Sequence, residues 1–323
     1  MNLLQLAQVL VFPGLTFFVW IAFAFEWLER KTVARMQGRI GPTVAGPIGL
    51  MQPVADFFKL ASKELIIPKY SEKFVFLWGP PLYFAAPAIG VIFIPVLSSN
   101  SVISHPLDLL FVLFLLTFST LMASLLGYSA SGRYSTIAVG RLVVQYTSYE
   151  IPLILSLITP AILAHKLSLG SIVLVQSHYW FILTAPIAFI VFIISSLAEL
   201  EKPPFDIPSA KTEIVAGWMT EFSGNALAYI KLAKSLSYVF LSALAVTLFL
   251  GGPNGPVISA NPEIQYAMNT LYFMLKLFAV GFMIFAIKTA LARLRIDQAA
   301  ELFWTILTPL SLIQIGLAIL FGW

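Results

Sequence analysis

Apolar runs of about 20 residues recur along the whole 323-residue chain, each set off by a polar stretch. Such a run is the length of a helix crossing a hydrocarbon core of about 30 Å at about 1.5 Å per residue. The candidates cover 3–27, 74–98, 107–127, 141–164, 179–200, 231–251, 267–290 and 301–321. Composition agrees: 59% of residues are hydrophobic and 11% charged, against roughly a quarter charged in a soluble domain. The opening MNLLQLAQVL lacks a basic n-region and a small-residue cleavage site, so it reads as a retained span rather than a signal peptide. The expected fold is all-α, a single polytopic membrane domain over 1–323 with about eight transmembrane helices and cytoplasmic amphipathic helices.

The basic residues sort by loop. Seventeen of the 19 fall in 28–73, after the third span, after the fifth and after the seventh; Lys166 lies on the other side and Lys276 within a span. Basic residues mark the cytoplasmic side, which puts both termini outside. The two long cytoplasmic loops, 28–73 and 201–230, are then the expected docking and coupling surfaces. No internal repeat is visible, which weighs against a secondary transporter, since many such folds carry inverted repeats. The chain has no cysteine, which excludes disulfides and thiolate-held iron–sulfur clusters. His105, His165 and His178 sit near the ends of apolar runs and form no facing pair within one, which argues against a bis-histidine haem. Electrons are expected to travel on other chains.

Four sets of charges carry the functional reading. In the first loop, Glu29, Arg30, Lys31, Arg35 and Arg39 cluster where the first span ends. GRIGPTVAGPIG cannot be a regular helix. VADFFKLASKE follows, with Val54, Phe57, Phe58 and Ala61 on one helical face and Asp56, Lys59 and Lys63 on another. This reads as an interfacial helix, either a surface anchor or the wall of an entrance. Glu150 lies nine residues past Arg141, or roughly 14 Å along a helix. A carboxylate at that depth is costly and faces protein or water, holds a proton, or forms a structural ion pair. Lys276 is the other deep charge, suited to relaying protons or to neutralising Glu150 or Glu199. Lastly, AELEKPPFDIPSAKTEIVAGWMTEFSG gathers Glu199, Glu201, Asp206, Glu213 and Glu221. Pro203, Pro204 and Pro208 break the helix there, and Asp206 is placed to cap a turn. Glu213 and Glu221, eight apart, would share a face if the segment is helical. Five carboxylates at a membrane edge make a proton-accessible vestibule, or a solvated loop.

These residues together resemble the H-subunit family of NADH–quinone oxidoreductase, the subunit 1 family of respiratory complex I, and its relatives in energy-converting hydrogenases. The likeness rests on ERKTVARMQGRIGPTVAGPIGLMQPVADFFKLASKE, SYE with Glu150, AELEKPPFD through TEIVAGWMTEFSG, and LARLRIDQ with Arg293, Arg295, Asp297 and Gln298. Any one of these is weak; four in the family's order cover nearly the whole chain. The resemblance implies a subunit without redox centres that joins a peripheral iron–sulfur arm to small membrane and antiporter-like subunits in a prokaryotic plasma membrane, with no nucleic acid involved. It implies an acidic path through Glu150, Glu199, Glu213 and Glu221, with Lys276 read beside it. Glu29, Arg30, Arg39, Asp56, Lys59, Glu201, Asp206, Arg293, Arg295 and Asp297 would line the chamber or docking loops. Iron–sulfur clusters are expected in partner subunits.

Quinone-reducing members typically read AETNR-x-PFD followed by PEAE-x-EL. Here Leu200, Glu201 and Lys202 replace the Thr-Asn-Arg triplet, and Lys211 stands where an acid is expected. These changes resemble the ferredoxin-linked archaeal complexes of membrane-bound hydrogenase or sulfane-reductase type, while the intact RIGPTVAGPIGLMQPVAD loop is closer to complex I. The leading expectation is a coupling subunit of the intermediate, sulfane-reductase kind, with H+ or Na+ as the moved ion. A quinone-chamber subunit, an independent ion transporter and a purely structural anchor are the alternatives.

Overall fold

The computed structural model describes residues 3–177, 179–256 and 261–321; His178 lies outside them. The described residues fold into helices without a strand among them. In chain order the helices are α1 (Leu3–Leu10), α2 (Leu15–Met36), α3 (Gln52–Ala61), α4 (Lys73–Gly90), α5 (Asp108–Ser129), α6 (Arg133–Ala164) and α7 (Leu169–Val175). There follow α8 (Phe181–Thr184), α9 (Pro186–Glu199), α10 (Lys211–Ile214), α11 (Gly224–Phe249), α12 (Pro262–Ala290), α13 (Ile296–Glu301) and α14 (Thr308–Phe321).

Seven helical stretches among the described residues are long and apolar enough to cross a membrane: Ala7–Met36, Lys73–Phe93, Asp108–Ser129, Arg133–Ala164, Gly224–Phe249, Pro262–Ala290 and Ile296–Leu320. The expected span 179–200 differs. Pro186 stands at the first helical position, where its missing N–H costs least. The run therefore divides into the single turn α8 and the 14-residue α9, which spans only about 21 Å. The first expected span is likewise broken around Pro13, and α2 continues past residue 27 to Met36, so Arg30, Lys31 and Arg35 sit on helix rather than loop. α6 starts at Arg133, and its 32 residues reach about 48 Å, so from its far end Arg133 lies well beyond one hydrocarbon thickness of about 30 Å and Arg141 just beyond it.

α11 is the central post. Its residues 236–249 are buried on every side, the pattern of a helix enclosed by others rather than by lipid. It packs against α4, α2, α12 and the surface helix α3, while α6 packs against α9, α14 and α5. Close approach needs small residues: a Cβ added to Gly90 of α4 would lie 2.5 Å from the Phe240 ring of α11. Between α13 and α14, Leu302–Leu307 is wound as π-helix. Pro309 has no N–H to give, so the turn before it relaxes. This turns Phe303 against Tyr149 (ring centroids 6.2 Å) and Phe205 (5.0 Å).

Candidate functional site

α6 presents Tyr146, Tyr149 and Glu150 at i, i+3 and i+4, neighbours on one helical face. The Tyr146 hydroxyl donates to Glu150 Oε1 at 2.5 Å and the Tyr149 hydroxyl to Glu199 Oε2 at 2.6 Å. The two tyrosine rings meet edge to face, 6.0 Å apart. Gln145 Nε2 donates to the Ala198 carbonyl at 2.9 Å, pinning the end of α9 to α6. Pro152, two residues beyond Glu150, cannot donate to the Ser148 carbonyl, which loosens α6 beside the acid. Tyr146, Tyr149, Glu150 and Glu199 border one small cavity of about 10 Å³, the size of a single water site.

Glu199 also borders a second such cavity, shared with Tyr83, Ser119, Thr120, Glu201, Lys234 and Ser237. Glu201 is buried there, 7% exposed, on a backbone with φ +49°. It accepts from Trp218 Nε1 at 3.0 Å and from Lys234 Nζ at 2.9 Å, and the Lys234 ammonium lies 4.9 Å from the indole centroid. The next residue, Lys202, turns the other way, to Glu29 on α2 at 2.7 Å. Lys288 of α12 binds the same Glu29 oxygen. One turn away, Arg30 bridges Glu26 and Asp56, the latter at 2.6 Å, and Ser235 donates to Glu26 at 3.2 Å. Around these pairs opens a chamber of about 540 Å³, lined by Glu26, Glu29, Arg30, Arg39, Lys202, Lys211 and Lys288 together with Gly41 and Pro42 of the Gly/Pro loop. Burial raises the Asp56 carboxyl, but hydrogen bonds from Arg30 and Gln52 and the nearby Arg30 and Lys231 charges outweigh it and hold the group below the ordinary carboxylate value.

Several expected groupings do not form. Glu213 and Glu221 share no helical face, because Val215 (φ +61°) and Gly217 (φ +63°) interrupt the segment. Glu213 instead binds Arg141, with Arg293 at 3.2 Å. The Arg141 hydrogen bond, then the Arg293 charge, hold its carboxyl low. Asp206 faces Arg293 at 3.5 Å rather than capping a turn. Arg141, Glu213 and Arg293 line a separate cleft of about 390 Å³ with Arg295 and Asp297, the latter two an exposed pair at 3.6 Å. Glu221 packs against Gly132. The five acids of 198–224 are thus divided among three places and form no single vestibule; of the five, only Glu199 and Glu201 border a common cavity.

Lys276 neutralises neither Glu150 nor Glu199. Its ammonium donates to the carbonyls of Leu250, Gly252 and Asn254 at 2.7, 3.0 and 2.7 Å, and lies 4.7 Å from the centroid of Trp180. It closes the C-terminus of α11, where carbonyls lack helical partners. On α3 the packed face is Pro53, Phe57 and Leu60, set against Phe23 and α11. Phe58 is 64% exposed, away from that face, and Lys59 is exposed. In sequence Lys234 and Lys288 count only among the loop cations, and Trp218 has no role. The signal was the helix start at Gly224, which puts Lys234 ten residues into α11 rather than in a loop.

Among the described residues no group of three or more His, Asp or Glu could hold a metal ion. Residues 8–319 match the family described as NADH dehydrogenase. The NADH-quinone oxidoreductase H subunit of Thermomicrobium roseum is 38% identical over 310 residues, covering 90% of this chain and 88% of that protein. The H subunit of Bacillus mycoides is 36% identical over 98% of this chain and 92% of its own length, and that of Dehalococcoides mccartyi is 36% identical over 89% and 79%. A membrane-embedded helical chain with tyrosine-held carboxylates and a charged chamber, matched over nearly its full length, belongs to the NADH dehydrogenase family, among relatives that are the H subunits of NADH-quinone oxidoreductase.

Proposed function

We propose that this chain is the non-redox membrane subunit of a complex I-related respiratory complex, anchoring an iron–sulfur arm and coupling electron transfer to movement of H+ or Na+. The observation that carries the reading is the half-buried pair of tyrosine-held carboxylates, Glu150 and Glu199, which border one small cavity. Electron transfer next to the chamber changes the charge there. The acids respond by exchanging protons, and the change passes to antiporter-like partners. Each charge moved against 100 mV costs about 2.3 kcal/mol, so the donor must be low in potential. The Leu200-Glu201-Lys202 triplet and Lys211 favour a ferredoxin-linked complex of sulfane-reductase or hydrogenase type. In this reading the basic loops face the cytoplasm of a prokaryotic cell, both termini lie outside, and 28–73 and 201–230 receive the iron–sulfur subunits.

The relatives' own designation favours a second reading, a quinone-chamber subunit. Purification of the tagged chain in mild detergent, with mass spectrometry of its companions, tests both. Assays with reduced ferredoxin or NADH then offer protons, polysulfide or a quinone analogue. Iron–sulfur and antiporter-like companions with a ferredoxin donor support the first reading; NADH oxidation with quinone reduction supports the second. A chain that emerges alone and moves ions in liposomes overturns both. In proteoliposomes Glu199→Gln is expected to abolish ion translocation. Unchanged translocation would reduce the chain to an anchor.

A further inference from the structure

Glu199 and Glu201 border the same water-sized cavity, and one ammonium, Lys234, borders it with them. Each acid is set by a different kind of partner. Glu201 has both oxygens occupied, one by the Trp218 indole N–H and one by Lys234. Glu199 accepts from the Tyr149 hydroxyl. A buried carboxylate needs a compensating charge, and one ammonium supplies one. The lysine stem is long, unbranched and four carbons deep, so its head can move without its helix moving. The indole face beneath it attracts the ammonium wherever it stands over the ring. Ser119, Thr120 and Ser237 supply hydroxyls along the cavity wall.

We infer that Lys234 is a mobile counter-ion exchanged between Glu201 and Glu199, and so the gate between the charged chamber and the tyrosine-held carboxylates. The inference rests on the coupling role proposed for Glu199. On this inference Lys234 rests on Glu201, as its hydrogen bond shows, while Glu199 holds a proton on one oxygen and accepts from Tyr149 on the other. When the ammonium crosses the cavity, Glu199 gives up its proton toward Tyr149 and the inner cavity, and Glu201 takes one from the chamber side. One proton enters as one leaves, so the net charge in the cavity is unchanged. The trigger is close by: Lys202, next to Glu201 in the chain, is held with Lys288 on Glu29. A change of charge in the chamber acts on that lysine and on the turn that aims Glu201.

Infrared difference spectroscopy of the complex purified with its companion subunits tests this. The C=O stretch of protonated Glu199 is identified as the band lost in Glu199→Gln. In Glu201→Gln the freed ammonium is expected to settle on Glu199, abolishing that band. The emission of Trp218, isolated by difference from Trp218→Phe, should shift in the same variant. Lys234→Met, which leaves both acids without a counter-ion, should roughly double the protonated-carboxyl signal. It serves as the second test should Glu201→Gln not assemble. A Glu199 band that persists unchanged in Glu201→Gln, or a carboxyl signal unmoved in Lys234→Met, overturns the exchange. The two readings fail separately. Translocation lost in Glu199→Gln without the infrared changes keeps the path and removes the gate. The infrared changes with translocation intact in Glu199→Gln keep the exchange and remove its coupling role.

Discussion

Replacing Lys276 with methionine separates a structural cation from a relay. The ammonium donates to three carbonyls at 2.7–3.0 Å and stands 4.7 Å from the Trp180 centroid. Hydrogen bonds to charged groups contribute about 1.5–3 kcal/mol each, but three bonds sharing one ammonium do not sum. Leaving the carbonyls without their donor costs about 1–3 kcal/mol, and loss of the indole contact adds about 0.5–2 kcal/mol. Methionine retains the stem's packing, and the desolvation cost of the charge disappears with it. The expected net loss is about 3 kcal/mol. At roughly 2 °C per kcal/mol for a chain of this size, Tm should fall by about 6 °C. Thermal unfolding followed by tryptophan fluorescence in detergent measures this, with ion translocation per assembled complex measured at a temperature below the transition. Lys276→Arg should recover part of the loss, since guanidinium keeps the charge and the donors. An unchanged Tm combined with abolished translocation would refute the capping argument and return Lys276 to the coupling path.

Two further outcomes follow from packing and charge. Gly90→Ala puts a methyl group 2.5 Å from the Phe240 ring in the buried α4–α11 contact, so it should destabilise by about 1–3 kcal/mol; equal thermal stability would show that α4 and α11 are not locked together there. The α3 attachment should depend on acid pH. The Asp56 carboxyl is lower in the folded chain than unfolded, so its contribution is complete above the ordinary aspartate value of about 3.9 and is lost as pH falls through the lowered folded value. Hydrogen exchange over 52–61, corrected for intrinsic rates, should be level from pH 7 to about 4.5 and rise below; a rise that begins near neutrality would remove Asp56 as the clamp.

Membrane class, helix content and the loop grouping of cations follow from hydropathy and charge alone, because burial in lipid demands long apolar runs whatever they pack against. That same uniformity hid the break at Pro186: α8 and α9 are equally apolar, so the run reads as one span although the proline divides it. Glu150, Glu199 and the first-loop charges stand out in sequence because isolated charges in oily segments are expensive. Their partners do not. Lys234 pairs with Glu201 across 33 residues, Lys202 with Glu29 across 173 and Lys288 with Glu29 across 259, separations set by helix packing around α11 and not by any local pattern. The two-turn spacing of Glu213 and Glu221 misled for a different reason. Spacing carries a face only where the backbone is continuous helix, and Val215 and Gly217 adopt positive φ between them.

The acids of this chain change partner with position. Toward the chamber each meets a cation: Glu26 and Asp56 share Arg30, Glu29 holds Lys202 and Lys288, and Glu201 holds Lys234. Beyond Glu201 the partners become hydroxyls, Tyr149 for Glu199 and Tyr146 for Glu150. A cation partner favours the ionised form of a carboxylate, whereas a hydroxyl can hydrogen-bond to either form. The change from cation partner to hydroxyl partner therefore falls between Glu201 and Glu199, two residues apart. Tyr149 is the hydroxyl partner of Glu199 and is 1% exposed, so Tyr149→Phe deletes the hydroxyl while conserving the ring contact with Phe303. A lost hydrogen bond to a charged acceptor is worth about 1.5–3 kcal/mol, or about 10- to 150-fold in the ease of ionising Glu199. Translocation in proteoliposomes should fall by at least tenfold at pH 7 and recover toward higher pH, with electron transfer from the donor to the acceptor less affected. A variant that translocates normally across the whole range would mean that Glu199 exchanges its proton without Tyr149, through the cavity it shares with Lys234.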